Sequence, residues 1–162
     1  APYSEAALGD FSDDRSSPET FAFGQGENII TATSSEGDRE YYSFTLPEGM
    51  ELDSIVLLSY ESANERSFIG IQSGPTFTET PTETVRSNLL GFTLFGSEPT
   101  GVGTDILDDM GAAEDTISFS GPLPSGTYTI WSQETSPNLS TYSLNFVVKS
   151  ANRLYLPTIL IQ

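Results

Sequence analysis

The chain has 162 residues, with six Lys or Arg against 23 Asp or Glu and a net charge of −17. That length fits one domain with a real core and is short for two, and so acidic a surface repels nucleic acid and anionic membranes at long range. Cysteine and histidine are both absent, which excludes disulfides, thiolate or His-ligated metal sites and every nucleophile–histidine catalytic pair.

Taken from the beginning, Ala1-Pro2-Tyr3 is the kind of start that signal-peptide cleavage leaves. A secreted, extracellular or cell-surface protein is expected, with residues 1–9 as an extension ahead of a domain over 10–150. Glu27–Thr33 reads as a strand, closed by the turn Ser35-Glu36-Gly37-Asp38. Tyr42, Phe44 and Leu46 alternate with Ser43 and Thr45, the pattern of a half-buried strand. Leu52–Tyr60 is nearly all apolar around Ile55-Val56-Leu57-Leu58 and predicts a central strand buried on both faces. Ser67–Gln72 and Leu89–Phe95 continue the series, and between them residues 74–84 are rich in Thr and Pro, as an exposed loop would be.

One short helix is expected, with Thr104 as its cap, Asp105 to Met110 as its body and Gly111 as its stop. Two more strands follow, Thr127–Trp131 and Tyr142–Val148; in the second, Tyr142, Leu144, Phe146 and Val148 point one way and Ser143 and Asn145 the other. Short strands separated by turn residues predict an all-β fold, an antiparallel jelly-roll-like sandwich with at most one short helix. No apolar run approaches the ~20 residues that cross a bilayer as a helix.

From about Asp10 to Val148 the chain resembles secreted bacterial β-sandwich domains of the pre-peptidase C-terminal type, frequent in exported cyanobacterial proteins. The residues that carry the resemblance are Gly37-Asp38-Arg39-Glu40-Tyr41-Tyr42-Ser43-Phe44 through Gly49, Phe68–Gln72, Leu90–Thr93, Val102–Gly111, Gly121–Trp131 and the strand ending Phe146-Val147-Val148. The resemblance implies the sandwich fold and an accessory role in binding calcium, carbohydrate or other proteins. A shared fold does not transfer a particular partner.

Three sets of residues are candidates for function. The tail 151–162 is apolar, rich in β-formers and too short for a membrane span. It is either a last strand of its own sheet or a donor strand that Leu154, Tyr155, Leu156, Ile159, Leu160 and Ile161 anchor in the next copy, giving a homo-oligomer or a filament. The second set is three acidic turns: Asp10, Asp13 and Asp14; Glu36, Asp38 and Glu40; Asp105, Asp108 and Asp109. Each is either a structural calcium site, because calcium takes six to eight oxygens, or a solvated loop. The third set is Trp131, Tyr60, Tyr41 and Phe92, which form either a sugar-stacking platform for an extracellular polysaccharide or part of the core. Trp131 is one residue out of phase with the Tyr128–Ile130 face and is expected to point outward. A carboxylate hydrolase would need two acids facing each other across a cleft, and no pair stands in such a context, so no enzyme is expected. The two leading readings are a subunit of a surface filament and a calcium-stabilised carbohydrate-binding or adhesion module.

Overall fold

The computed structural model describes residues 1–64, 66–96 and 100–151. In chain order the elements are β1 Pro2–Ser4, α1 Glu5–Leu8, β2 Glu19–Ala22, β3 Gly26–Ser34, β4 Glu40–Leu46, β5 Met50–Ser62, β6 Ser67–Ser73, a 3-10 turn at Arg86–Asn88, β7 Gly91–Phe95, α2 Ile106–Gly111, β8 Gly126–Glu134 and β9 Ser140–Ser150. They make a two-sheet sandwich, one sheet ordered β1-β3-β9-β5 and the other β2-β4-β8-β6-β7.

The core follows from strand alternation. Tyr142, Leu144, Phe146 and Val148 of β9 and Tyr42 and Phe44 of β4 are all fully enclosed between the sheets. Each large apolar side chain so buried contributes roughly 1.5–3 kcal/mol before ordering costs. Outside the core, β3 and β9 are tied by paired hydroxyls, Thr31 with Ser143 at 2.7 Å and Thr33 with Thr141 at 3.0 Å.

The interior ladders are antiparallel, but each sheet carries one parallel edge strand, β1 on β3 and β2 on β4. The first residues are therefore not an extension. Ala1 donates its ammonium to the Glu27 carbonyl at 2.6 Å, and Ile29 N–H donates to the Ala1 carbonyl at 2.9 Å. Helix α1, which the sequence did not suggest, turns the chain away from β1 at Gly9, whose φ of 90° suits glycine.

Strand β5, expected in the middle of a sheet, lies at an edge. Its outer face is not buried, since Leu58 there is 41% exposed; what other chain segments cover is its free edge. Leu57 N–H donates to Thr104 O at 3.1 Å and Gly103 N–H to Leu57 O at 2.8 Å, while Leu52 and Leu123 exchange both backbone hydrogen bonds at 2.9 and 3.0 Å. Helix α2 then closes the side of the sandwich between edge strands β5 and β7, burying Ile106, Leu107 and Met110. Its cap is Asp105, whose Oδ1 accepts from Leu107 N–H at 3.0 Å. Thr104, one residue earlier, instead gives its carbonyl to β5.

Strand β9 is paired on both sides. It faces β3 from Val148 back to Ser140, and β5 up to the pair Met50–Ser150, after which Ala151 N–H donates to Gly49 O at 2.8 Å. The assembly residues Leu154, Tyr155, Leu156, Ile159, Leu160 and Ile161 lie outside the described residues.

Candidate functional site: a carboxylate cluster at one end of the sandwich

Strand β4 begins at Glu40, which shares the inward parity of Tyr42, Phe44 and Leu46. Its carboxylate therefore enters the end of the sandwich rather than solvent. Glu40 is 0% exposed, and neither of its oxygens has a hydrogen-bond partner. Burial, followed by the charge of Glu5, pushes its pKa up to about 11. Below it lie the Tyr42 and Tyr142 rings; the Tyr142 hydroxyl bonds Ser132 Oγ, and burial raises both phenols.

Four further carboxylates converge on this point. Oxygens of Glu5, Asp10 and Glu40 lie within 4.8 Å of one another, and so do oxygens of Asp10, Asp13 and Asp38. Asp10 belongs to both groups. Burial, then the charges of Asp10 and Asp13, pushes Asp38 up to about 6. Glu5 reaches the cluster from α1 and is held there by backbone amides, Thr33 N–H to Oε2 at 2.7 Å and Phe11 N–H to Oε1 at 3.3 Å. Among the described residues, none of the five forms an ion pair; the single salt bridge there is Lys149–Asp53 at 3.0 Å. Two ionised carboxylates at such a spacing repel by roughly 3 kcal/mol at an effective dielectric near 20. The arrangement is relieved either by protons, as the raised Glu40 and Asp38 values express, or by a cation. An all-oxygen donor set with no nitrogen or sulfur suits a hard divalent ion such as calcium.

Members of the first two acidic turns are thus brought together, Asp10 and Asp13 with Asp38 and Glu40, while Asp14 and Glu36 are not. Asp14 caps its own turn, accepting from Ser16 N–H at 2.9 Å and Ser16 Oγ at 2.6 Å, and these bonds lower its pKa. The third turn is no cluster. Asp105 is taken by the amides of Ile55 and Leu107, and Asp108 and Asp109 lie in the first turn of α2. Glu5 was not foreseen, because nothing local links it to residues 28 and 35 positions away. Glu40 carried a usable signal: it continues the Tyr42–Phe44–Leu46 parity one step further.

The aromatic candidates divide. Tyr41, Trp131 and Phe92 form one row across the outer face of the five-stranded sheet. Tyr41 pairs with Trp131 on β8, Trp131 with Gly70 on β6, and Gly70 with Phe92 on β7. Trp131 does point outward, but it is only 5% exposed because Phe77 and Leu89 pack over it. The Thr- and Pro-rich loop is accordingly not loose. Gln72 binds Thr78, Arg15 donates to the carbonyls of Phe77 and Thr78 at 3.2 and 3.0 Å, and Glu79 accepts from Val85 N–H at 2.8 Å and Asn88 Nδ2 at 3.1 Å. Tyr60 belongs elsewhere. Its ring packs edge-on against Phe95, and its hydroxyl meets Ser67 at 2.9 Å inside the network around buried Glu134. Trp131 and Tyr60 therefore do not form one platform.

No family model matches this chain, and no curated protein is similar to it. Among solved structures it is similar to PliG of Salmonella Typhimurium, a periplasmic inhibitor of g-type lysozyme, with 15% identity and a TM-score of 0.38 over 82% of this chain and 100% of that one. A likeness at that level carries no argument about function.

Proposed function

We propose that the protein is a non-enzymatic, calcium-stabilised adhesion module of an exported protein. The observation that carries this reading is Glu40, a fully enclosed carboxyl with no hydrogen-bond donor, set beside Glu5 and Asp10, the latter shared with a second group that includes Asp13 and Asp38. A buried carboxylate without a partner costs several kcal/mol, and a calcium ion shared with Asp10 and Glu5 would convert that cost into binding energy. The role is structural. The ion would tie α1 and the loop after it, through Glu5, Asp10 and Asp13, to β4 and the turn before it. Glu40 is fully enclosed, and buried Glu134 and Glu79 are engaged by hydrogen bonds, so none of these three buried acids faces a cleft in the manner a hydrolase needs. Isothermal titration of chelator-stripped protein with calcium tests the reading. Saturable binding that Asp10→Asn weakens is expected, and no heat beyond dilution would overturn it.

Assembly through residues 152–162 is a second, compatible reading, favoured by β9. That strand already has β3 and β5 as neighbours, and its pairing with β5 runs through Ser150. The apolar residues that follow begin beyond a completed central strand, and an edge of another copy would accept them. Sedimentation of the full chain against one ending at Ala151 separates the outcomes: loss of higher-order species on truncation supports the reading, and identical profiles refute it.

A further inference from the structure

Basic side chains are scarce in this chain, and their use is uneven. Arg15 holds the Phe77 and Thr78 carbonyls, Arg39 donates to Gln133 Oε1 at 3.1 Å, and Lys149 pairs with Asp53. Arg66 and Arg86 are exposed, and both line the hollow beside Phe92 on the outer face of the five-stranded sheet. Arg86 stands 5.1 Å over the Phe92 ring, a cation–π contact that fixes its guanidinium in place. An adjoining hollow is lined, among the described residues, by Phe68, Leu89, Phe92, Trp131, Thr84 and Arg86, without a carboxylate.

Gly70 shapes this floor. It lies between Phe92 and Trp131 in the sheet, and a Cβ there would come within 3.1 Å of the Phe68 ring. Without that Cβ, Phe68 lies across the strand, with its centroid 4.6 Å from Trp131 and 5.9 Å from Phe92. A continuous apolar floor with partly exposed rings is bordered by two guanidiniums. Apolar ring faces match the C–H faces of a pyranose, and a planar guanidinium fork matches a planar carboxylate.

We infer that this groove binds a uronic-acid polysaccharide, a sugar face lying on Phe68 and its carboxylates pairing with Arg86, which the Phe92 ring holds in place, and with Arg66. Asp109 and Glu114 line the Arg66 hollow as well, so the first carboxylate is placed at Arg86. The overall negative charge opposes an acidic ligand, but at physiological ionic strength the Debye length is about 8 Å, so distant carboxylates are screened while contacts in the groove are not. The inference gives the adhesion reading a ligand, and its test does not depend on the calcium site.

The experiment is calorimetric titration of the whole chain with short oligogalacturonates in calcium-free buffer at physiological salt. Dextran is the neutral probe and dextran sulfate the sulfated one. Binding of oligogalacturonate is expected, weakened about tenfold or more by Arg86→Ala and also weakened by Phe92→Ala. Lys149→Ala removes a cation away from the groove and should bind as the native chain does. Glu40→Gln should keep sugar binding while losing the response to calcium, which separates failure here from failure of the calcium reading. The inference is overturned if oligogalacturonate does not bind, if dextran or dextran sulfate binds equally well, or if Arg86→Ala binds as tightly as the native chain. Near-UV circular dichroism confirms that each variant is folded before its affinity is compared.

Discussion

Glu5 accepts the backbone amide of Thr33 at 2.7 Å, at the point where β1 has run out and β3 would otherwise present an open edge. One carboxylate thus finishes a sheet ladder and contributes to the acidic cluster. Glu5→Ala leaves the amides of Thr33 and Phe11 without their acceptor. A loss of about 1–3 kcal/mol is expected, measured as a lower urea midpoint at unchanged slope, together with faster hydrogen exchange at Thr33. Unchanged exchange at that amide would show that Glu5 does not close the edge.

The loop over Trp131 depends on Glu79, whose pKa is lowered mainly by the Val85 amide and the Thr78 hydroxyl. A carboxyl with a depressed folded-state pKa adds stability above its unfolded value, about 4.5, and that stability is lost as pH falls through the lower folded value. Trp131 is the single tryptophan and lies under this loop. Its emission should therefore shift to the red as pH falls from the unfolded value through the lower folded one, before global unfolding seen by far-UV circular dichroism. Glu79→Gln should remove that early step; a native chain in which the two transitions coincide would contradict the account.

Gly91 is where α2 docks on β7. A Cβ there would stand 2.0 Å from the Met110 carbonyl oxygen, a backbone atom that cannot swing aside. Gly91→Ala should cost about 3 kcal/mol, at the upper end for overpacking. Gly37→Ala, in open space, is the control and should stay within about 0.5 kcal/mol of native. Equal midpoints for the two variants would mean that α2 is not packed as described.

The sandwich was legible where one face of a strand is buried and the other wet. Tyr142–Val148 and Tyr42–Leu46 show this, because a two-residue period has one reading. It was misleading at Leu52–Tyr60, because Leu58 is left 41% exposed and register shifts at Leu52/Ser54 and Leu57/Ser59 break the two-residue period that would have marked one face as wet. Strands β1 and β2 are three and four residues long, too short to establish a period. The cluster was half legible. Acidic turns were visible as local groupings, but only the fold decides which come together, and the local triplet Asp105, Asp108 and Asp109 was spent on capping and opening a helix. Glu5 reaches the site through parallel pairing of β1 with β3, a long-range contact with no local signature.

The calcium reading is tested most directly by thermal unfolding of the native chain and of Glu40→Gln, each in chelator and in calcium at neutral pH. In calcium at a hundredfold excess over Kd the native chain should gain about 2.7 kcal/mol, a rise in Tm of roughly 5–10 °C for a chain of this size. Glu40→Gln should melt higher than the native chain in chelator, because a neutral amide replaces a buried acid, and should lose most of the calcium response. A native Tm that does not move with calcium, with Glu40→Gln behaving identically, would contradict the claim that the carboxylate cluster is built for a cation.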